Sequence, residues 1–144
     1  MSLQPVPIQN VPGVPDYTCT AFLPKSSDYC LLIPVINEGS RILTELGRAQ
    51  KAGVDRLVDI VICDGGSTDG SMNPDTLELY GVNTLLVKTG PGKQGAQLRM
   101  GLHFALTFGY KGVLTIDGNN KDSIEDVPKF VAKLKEGYAL GQGS

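Results

Sequence analysis

The stretch Asp-Ile-Val-Ile-Cys-Asp-Gly-Gly-Ser-Thr-Asp-Gly, residues 59–70, is the most informative segment of the chain for its fold. Its first five residues form a continuous, mostly aliphatic run, and a polar, glycine-rich turn begins at Asp64. A strand buried on both faces of a parallel sheet has such a continuous run, whereas a strand with one wet face alternates. We therefore predict a buried strand over residues 59–63 and a turn after it that collects polar side chains.

Three further runs along the chain predict strands of the same sheet. Residues 29–35 are again continuously apolar, and shorter runs occupy residues 82–87 and 112–116. Short apolar runs of this kind, bounded by glycine and polar residues, are typical of strands in α/β proteins.

Four helical patterns lie between and after the predicted strands. The first begins at a Ser40 cap and ends near Gly53, the second covers residues 74–80, the third residues 94–108 and the last residues 127–134. Alternating strands and helices predict an α/β, Rossmann-like sandwich with a mostly parallel sheet and helices on both faces. The apolar residues expected to face the sheet are Ile42, Leu43, Leu46 and Ala49, then Leu98, Leu102, Ala105 and Leu106, then Val127, Phe130, Val131 and Leu134.

The two ends of the chain differ from this pattern. Six of the nine prolines lie in the first 34 residues, and residues 1–28 follow neither a strand nor a helix period. We predict an irregular arm over residues 1–28 and one α/β domain over residues 29–144. Residues 138–142 have the composition of another strand, and the chain stops at Ser144, so we expect a fold truncated at its C-terminus.

The composition excludes several classes of protein. Thirteen Lys and Arg against fifteen Asp and Glu give the 144 residues a formal net charge of −2, so no nucleic-acid partner is expected. No apolar run approaches the ~20 residues of a membrane-spanning helix, and no secretory signal pattern opens the chain. With three unevenly spaced cysteines and no disulfide framework, a cytoplasmic location is the expectation.

Polar side chains follow every predicted strand. Glu38, Asp64, Lys93 and Asp117 each come after a different one, beside glycine. Ligands of open α/β sheets bind at the carboxyl ends of the strands, so these residues are candidates for a binding site. In the alternative interpretation, Asp64 and Asp117 merely cap turns and helices. Ser67, Thr68 and Asp69 are expected to shape the turn after Asp64.

The glycines at 90, 92 and 95 match the dinucleotide fingerprint, with Asp117 about 20 residues further on. However, Pro91 removes a backbone N–H from this loop, and the pattern follows the third predicted strand rather than the first. An NAD-binding domain is therefore kept as a distant alternative.

Taken together, the motifs resemble the family 2 glycosyltransferases of GT-A fold, including the dolichyl-phosphate mannose synthases. The resemblance covers residues 29–143 and implies transfer of a sugar from a UDP- or GDP-sugar to an acceptor such as a lipid phosphate, a polysaccharide or a small molecule. The segments that carry it are Ile33-Pro34-Val35-Ile36-Asn37-Glu38, Ile62-Cys63-Asp64-Gly65-Gly66-Ser67-Thr68-Asp69-Gly70, Gly92-Lys93-Gln94-Gly95-Ala96 and Thr115-Ile116-Asp117-Gly118-Asn119.

The resemblance implies a role for residues on the nucleoside side of the donor. Asp64 would accept the ring N–H of uracil or guanine, a charge-assisted bond that rejects bases lacking this donor. Pro34, Ile36 and Glu38 would line the base and ribose pocket. For Glu38 a second interpretation stays open, in which the carboxylate stabilises the dipole of the following helix.

The resemblance also implies residues for the diphosphate and a divalent cation, Mg²⁺ or Mn²⁺. Lys93 would neutralise the diphosphate, and Arg99 is a weaker candidate for the same role. Asp117 and Asn119 occupy the first and third positions of the Asp-x-Asp motif that holds the metal in such enzymes. An amide at the third position lacks the charge of an aspartate, which weakens metal binding unless Asp122 or a downstream residue contributes. Asn119 and Asn120 are alternatively left-handed turn residues.

No catalytic base is assigned within the chain, because in inverting relatives it lies after the fifth strand, downstream of Ser144. His103 and Cys63 are expected to serve packing or surface roles rather than catalysis. The resemblance leaves membrane attachment open, since relatives carry it C-terminal to this domain, at the inner face of the membrane. A non-catalytic nucleotide-binding module of the same fold is the alternative to an enzyme.

Overall fold

The computed structural model describes residues 4–6, 13–91, 94–120 and 123–136. The predicted strand at residues 138–142 therefore lies outside the described residues. The strands in chain order are β1 (Gln4–Val6), β2 (Tyr17–Ala21), β3 (Tyr29–Val35), β4 (Asp59–Asp64), β5 (Val82–Lys88) and β6 (Gly112–Thr115). The helices are α1 (Ser40–Lys51), α2 (Val54–Leu57), α3 (Pro74–Leu79), α4 (Gln94–Thr107) and α5 (Val127–Lys135), with a 3₁₀ turn at Ile124–Asp126.

The described strands form one sheet in the order β1-β6-β3-β4-β5-β2. The four central strands are parallel, and β1 and β2 add antiparallel edges. Because β6 returns beside β3, the strand order reverses between these two strands, as it does in Rossmann-like folds. The predicted α/β class, with a mostly parallel sheet, is confirmed.

Helices cover both faces of the sheet. Alternate residues of each strand point to opposite faces. Leu31, Ile33 and Val35 of β3 therefore pack under α1, α3 and α5, whereas Cys30 and Leu32 pack under α4. Every residue of β4 is buried, which agrees with its continuous apolar run.

Of the four residues of α4 that were predicted to face the sheet, only Ala105 is fully buried. Ala96, Met100, Phe104 and Ala105 are buried, whereas Leu106 is 41% exposed. The reason is close approach at Gly101, where a Cβ atom would lie 2.8 Å from both Cys63 Sγ and Leu32 Cδ1. The helix thus turns its small residues to the sheet, and Leu98 and Leu102 are only partly buried.

The prediction of an irregular arm is wrong where β1 and β2 form. Strand β2 pairs with β5 from Tyr17 opposite Lys88 to Ala21 opposite Thr84. Four of its five side chains are exposed, because it is an edge strand, so it lacks the apolar alternation that would reveal it. A hydrogen bond of 2.7 Å between Tyr17 Oη and His103 Nδ1 connects β2 to α4.

The start of the first long helix also differs from the prediction. Helix α1 begins at Ser40 after Gly39, which has φ 60° and supplies no side-chain cap.

The short helix α2 was not predicted. Helix α3, unlike α1, has a side-chain cap, because the Asn73 side chain accepts a hydrogen bond from the Thr76 N–H.

Candidate functional site

Three loops meet at the carboxyl ends of the parallel strands. They follow β3, β4 and β6, and the reversal of strand order lies between β3 and β6. Such a reversal opens a crevice, because neighbouring connections leave to opposite sides of the sheet. Val35 and Asp64 end their strands in register, and the Gly65 N–H donates to the Val35 carbonyl at 2.9 Å. The polar residues of these loops therefore share one edge of the sheet.

Asp64 is 2% exposed and uses one carboxylate oxygen to shape its own turn. Oδ1 accepts bonds from the Gly66 N–H at 3.2 Å, the Ser67 N–H at 2.9 Å and Ser67 Oγ at 2.7 Å. The alternative interpretation of Asp64 as a turn residue is thus confirmed for Oδ1. Among the described residues, none donates a hydrogen bond to Oδ2, and this oxygen remains for a ligand to use.

The loops after β3 and β4 are joined to each other. Ser67 Oγ accepts the Asn37 N–H at 2.9 Å, and Asn37 Oδ1 accepts the Thr68 N–H at 2.8 Å. Asp69 Oδ2 accepts the Gly39 N–H at 3.0 Å, and hydrogen bonds from Ser71 lower the pKa of Asp69. The predicted turn-shaping roles of Ser67, Thr68 and Asp69 are confirmed.

The residues predicted to line the base and ribose pocket have three different exposures. Pro34 is buried within β3 opposite Cys63, and Ile36 is 46% exposed on the loop that follows. Glu38 is largely covered, and its Oε1 lies 3.0 Å from Arg41 Nη2. Glu38 precedes α1, whose first turn contains no acid, and its carboxylate forms an ion pair with Arg41 of that turn.

Gln97 is a site residue that the sequence reasoning missed. Its buried amide Nε2 donates to the Val35 carbonyl at 2.6 Å and to the Cys63 carbonyl at 2.9 Å. A Cβ atom on Gly65 would lie 3.0 Å from this amide, so the glycine packs tightly against Gln97. Gln97 thus fixes the ends of β3 and β4 relative to α4. The sequence could have indicated this role, because Gln97 follows Ala96 and both lie on the buried face of α4. The prediction placed that face mostly at other residues of the helix.

The loop after β6 lies against β3. A Cβ atom on Gly118 would be 2.6 Å from Val35 Cγ1, so no side chain fits at this position. Asp117 and Asn119, on either side of it, are partly buried. Asn120 has φ 63°, so the left-handed turn interpretation is confirmed for Asn120 and not for Asn119.

Asp117 and Asn119 offer one carboxylate and one amide oxygen. Within the described residues, no group of three His, Cys, Asp or Glu side chains is placed to hold a metal ion. Mg²⁺ sites on phosphate substrates commonly use one or two protein carboxylates, with phosphate and water completing the shell. The oxygen donors of this loop therefore fit a hard divalent cation that arrives with a diphosphate.

Two basic residues, Lys93 and Arg99, were predicted to neutralise the diphosphate. Lys93 lies outside the described residues. Arg99 Nε donates to the Gly13 carbonyl at 3.0 Å, so one of its N–H groups holds the N-terminal segment.

The glycine-rich stretch after β5 departs from a dinucleotide loop. The Gly90 N–H donates to the Asp16 carbonyl at 3.0 Å and is engaged within the protein. This stretch also follows β5, away from the reversal of strand order. Both observations weigh against the NAD alternative.

Cys63 and His103 have the roles expected from the sequence. Cys63 is completely buried, and burial raises the pKa of its thiol well above the ordinary value, which keeps it protonated and unreactive. His103 is an exposed residue of α4 that bonds to Tyr17.

Comparison with known proteins supports a glycosyltransferase relationship. No family model matches the chain. Over 116 residues, or 81% of its length, it is 29% identical to the glycosyltransferase AglJ of Haloferax volcanii. The chain is similar to a named glycosyltransferase. It is also 29% identical, over 109 residues and 73% of its length, to an uncharacterized protein of Methanocaldococcus jannaschii.

The chain spans only 35% and 46% of the lengths of these two curated relatives. Of the helices in the described ranges, none is long and apolar enough to cross a membrane.

Proposed function

We propose that this chain is the nucleotide-sugar-binding part of a glycosyltransferase of the GT-A fold, similar to family 2. The observation that carries the proposal is the pair of acidic loops at the reversal of strand order. One presents Asp64 Oδ2 from a rigid turn, and the other presents Asp117 and Asn119 against β3. The similarity to AglJ of Haloferax volcanii supports the same reaction class.

The loop after β4 would recognise the base. Uracil and guanine each carry a ring N–H, and the buried Asp64 carboxylate can accept it through Oδ2 while Oδ1 keeps its three bonds to the turn. Ile36 and Glu38 would contact the base and ribose from the neighbouring loop, with Pro34 supporting them from β3. Because loop and strand are preorganised, little conformational entropy is lost on binding.

The loop after β6 would bind the diphosphate side of the donor. Asp117 and Asn119 would hold Mg²⁺ or Mn²⁺, which when bound stabilises the negative charge that develops on the departing diphosphate. Lys93 and Arg99 would add positive charge at the same group. Asp117 would also orient the ribose through a hydrogen bond.

The acceptor-binding site and the catalytic base are proposed to lie in protein outside this chain. The chain covers less than half the length of each curated relative, and no residue within it is assigned to deprotonating an acceptor hydroxyl. We therefore expect the 144 residues to bind nucleotide weakly and to transfer no sugar on their own. A cytoplasmic location, with a lipid phosphate, polysaccharide or small molecule as acceptor, is part of the same proposal.

Calorimetry of UDP and GDP against the Asp64→Asn variant tests the base-recognition step. The asparagine Oδ1 can still accept the turn bonds, but an NH₂ group replaces Oδ2 and opposes the ring N–H of the base with a second donor. We expect the preferred nucleotide to lose at least about tenfold in affinity, the size of one opposed hydrogen bond. Asp75→Asn, on the exposed start of α3, is the matched control and should bind as the wild type does. Unchanged binding by Asp64→Asn would overturn the role of Asp64.

A non-catalytic nucleotide-binding module is the second candidate, favoured by the amide at Asn119. Replacing Asn119 with Asp restores a second carboxylate beside Asp117 and should strengthen Mn²⁺ binding if the loop still serves a metal. Mn²⁺ affinity that does not change in Asn119→Asp would favour the non-catalytic module.

A further inference from the structure

Glu45 is an unusual residue for the middle of α1, because its side chain is fully buried. A glutamate is almost never completely buried unless partners satisfy its carboxylate. Its Oε1 accepts the backbone N–H of Asn120 at 2.6 Å, across 75 positions of sequence. Helix α1 thus contacts the loop after β6 through a short hydrogen bond.

Arg48 holds the same loop residue from the next turn of α1. Its Nη1 donates to Asn120 Oδ1 at 2.7 Å, while Nε and Nη2 donate to Glu125 at 2.7 and 2.6 Å. Residues 45 and 48 lie on one side of the helix, so they approach Asn120 together. The hydrogen bond from Arg48 lowers the pKa of Glu125 to about 2, which keeps this pair charged at neutral pH.

These contacts fix the short loop that carries Asp117 and Asn119 at two points. Gly118, between them, lies directly against Val35, and Asn120, after them, has φ 63° and is held by Glu45 and Arg48. Asparagine adopts this backbone conformation more readily than other non-glycine residues, and here the bonds to Glu45 and Arg48 hold Asn120 in it. The backbone path at Asn119 is therefore determined in part by the contacts of this loop with α1.

We propose that Glu45 is a positioning residue for the cation and diphosphate loop, an inference that rests on the proposed function. In this proposal Glu45 acts through its bond to Asn120 and not by binding nucleotide or metal. Its carboxylate holds Asn120 in the left-handed conformation, and this presents the oxygens of Asp117 and Asn119 together. Loss of the acceptor leaves the Asn120 N–H unpaired and frees the loop to turn.

Three variants of α1 separate positioning from simple stability. Glu45→Leu keeps most of the volume but removes the acceptor, whereas Glu45→Gln keeps an oxygen that can accept the Asn120 N–H. Leu46→Ala truncates the adjacent core residue, which is also fully buried but belongs to the apolar cluster under α1. It therefore lowers stability without removing a bond to the loop.

The first measurement is the gain in UDP or GDP affinity on adding Mn²⁺, determined by calorimetry for each variant of the full chain. We expect the gain in affinity to be smaller in Glu45→Leu than in the wild type by about tenfold or more, because removing an outer-shell partner of a metal ligand lowers metal affinity by about this factor. Glu45→Gln should remain within about twofold of the wild type and Leu46→Ala should keep the full gain, since both leave the loop acceptor in place.

The second measurement is amide hydrogen exchange at Asn120 by NMR without any ligand. Exchange should accelerate in Glu45→Leu, relative to exchange at core amides of β4, and should not do so in Glu45→Gln. An unchanged Mn²⁺ gain and unchanged Asn120 exchange in Glu45→Leu would overturn the inference, as would an equal loss of the gain in Leu46→Ala. If the wild type binds neither nucleotide, the proposed function fails, and the predicted effect of Glu45→Leu on nucleotide affinity fails with it. If the wild type binds and Glu45→Leu matches it, only the inference fails.

Discussion

The two acidic loops of the candidate site obtain their shapes in opposite ways. The loop after β4 is held mainly by its own residues, since Asp64 bonds to Gly66 and Ser67 within three positions. The loop after β6 is held by Glu45 and Arg48, more than 70 positions earlier in the chain. Two carboxylates at one edge of the sheet therefore depend on different parts of the fold, and one loop can be disturbed without the other.

The largest expected effect is that of Gly118→Ala. The added Cβ would lie 2.6 Å from Val35 Cγ1, so the loop after β6 must move away from β3. We expect a loss of about 2 to 3 kcal/mol in the free energy of unfolding, the upper part of the range for overpacking a filled site. Urea denaturation measures this loss.

Gly47→Ala is the matched control for that substitution. Gly47 lies within α1, and a Cβ atom added there would meet nothing within 4 Å, so the alanine should stabilise the helix by about 0.5 to 1 kcal/mol. If Gly118→Ala is as stable as Gly47→Ala, the loop after β6 is not packed against β3 as described.

A smaller effect is expected for Ser67→Ala, which does not disturb the loop after β6 but acts on the loop after β4. Ser67 Oγ donates to Asp64 and accepts from the Asn37 N–H, so its removal eliminates one of the hydrogen bonds that join the loops after β3 and β4. We expect a loss of about 1 kcal/mol, the net value of a hydrogen bond in a partly exposed site. The same unfolding measurement gives this value.

A double-mutant cycle extends that prediction to the independence of the loops. Ser67 bonds to Asp64 and Asn37, whereas Glu45 bonds to Asn120. The losses from Ser67→Ala and Glu45→Leu should therefore add to within about 0.5 kcal/mol. A larger coupling energy would show that the two loops act as one unit.

The smallest effect is a dependence of stability on pH through Arg48 and Glu125. The pKa of Glu125 is about 2 in the folded protein against an ordinary value of 4.5, because Arg48 donates to it. A lowered folded pKa stabilises the protein above the unfolded pKa, and this contribution disappears as the pH falls from about 4.5 toward 2. Both side chains are partly exposed, so the contribution is about 0.5 kcal/mol.

Urea denaturation between about pH 2.5 and 7 tests this contribution by comparing the wild type with Glu125→Gln. The two stability curves should differ near neutral pH and converge at the acidic end. Curves that stay parallel throughout the range would show that the ion pair contributes nothing.

The contrast between the loops also explains which features the sequence could reveal. Strands β3 and β4 follow from continuous apolar runs and the turn at Asp64 from a local glycine-rich motif, so all three were predicted. Glu45 was not, because a glutamate on an amphipathic helix has the same pattern whether it is solvated or bonded to a distant loop.

Other failures of the prediction also arise from tertiary contacts. The buried face of α4 is determined by the close approach at Gly101, and the role of Gln97 follows from that face. Strand β2 lies at an edge, where exposure removes the apolar alternation that marks a half-buried strand.

Calorimetry with four ligands, uridine, guanosine, UDP and GDP, tests the central claim most directly, because it separates the base from the diphosphate. We predict that Asp64→Asn weakens the preferred nucleoside and its diphosphate alike. Asp117→Asn should weaken the diphosphate far more than the nucleoside, because an asparagine can still form a hydrogen bond to the ribose, and it should abolish the gain in affinity with Mn²⁺. If both variants bind all four ligands as the wild type does, or if the wild type binds none of them, the two loops do not form a nucleotide-sugar site.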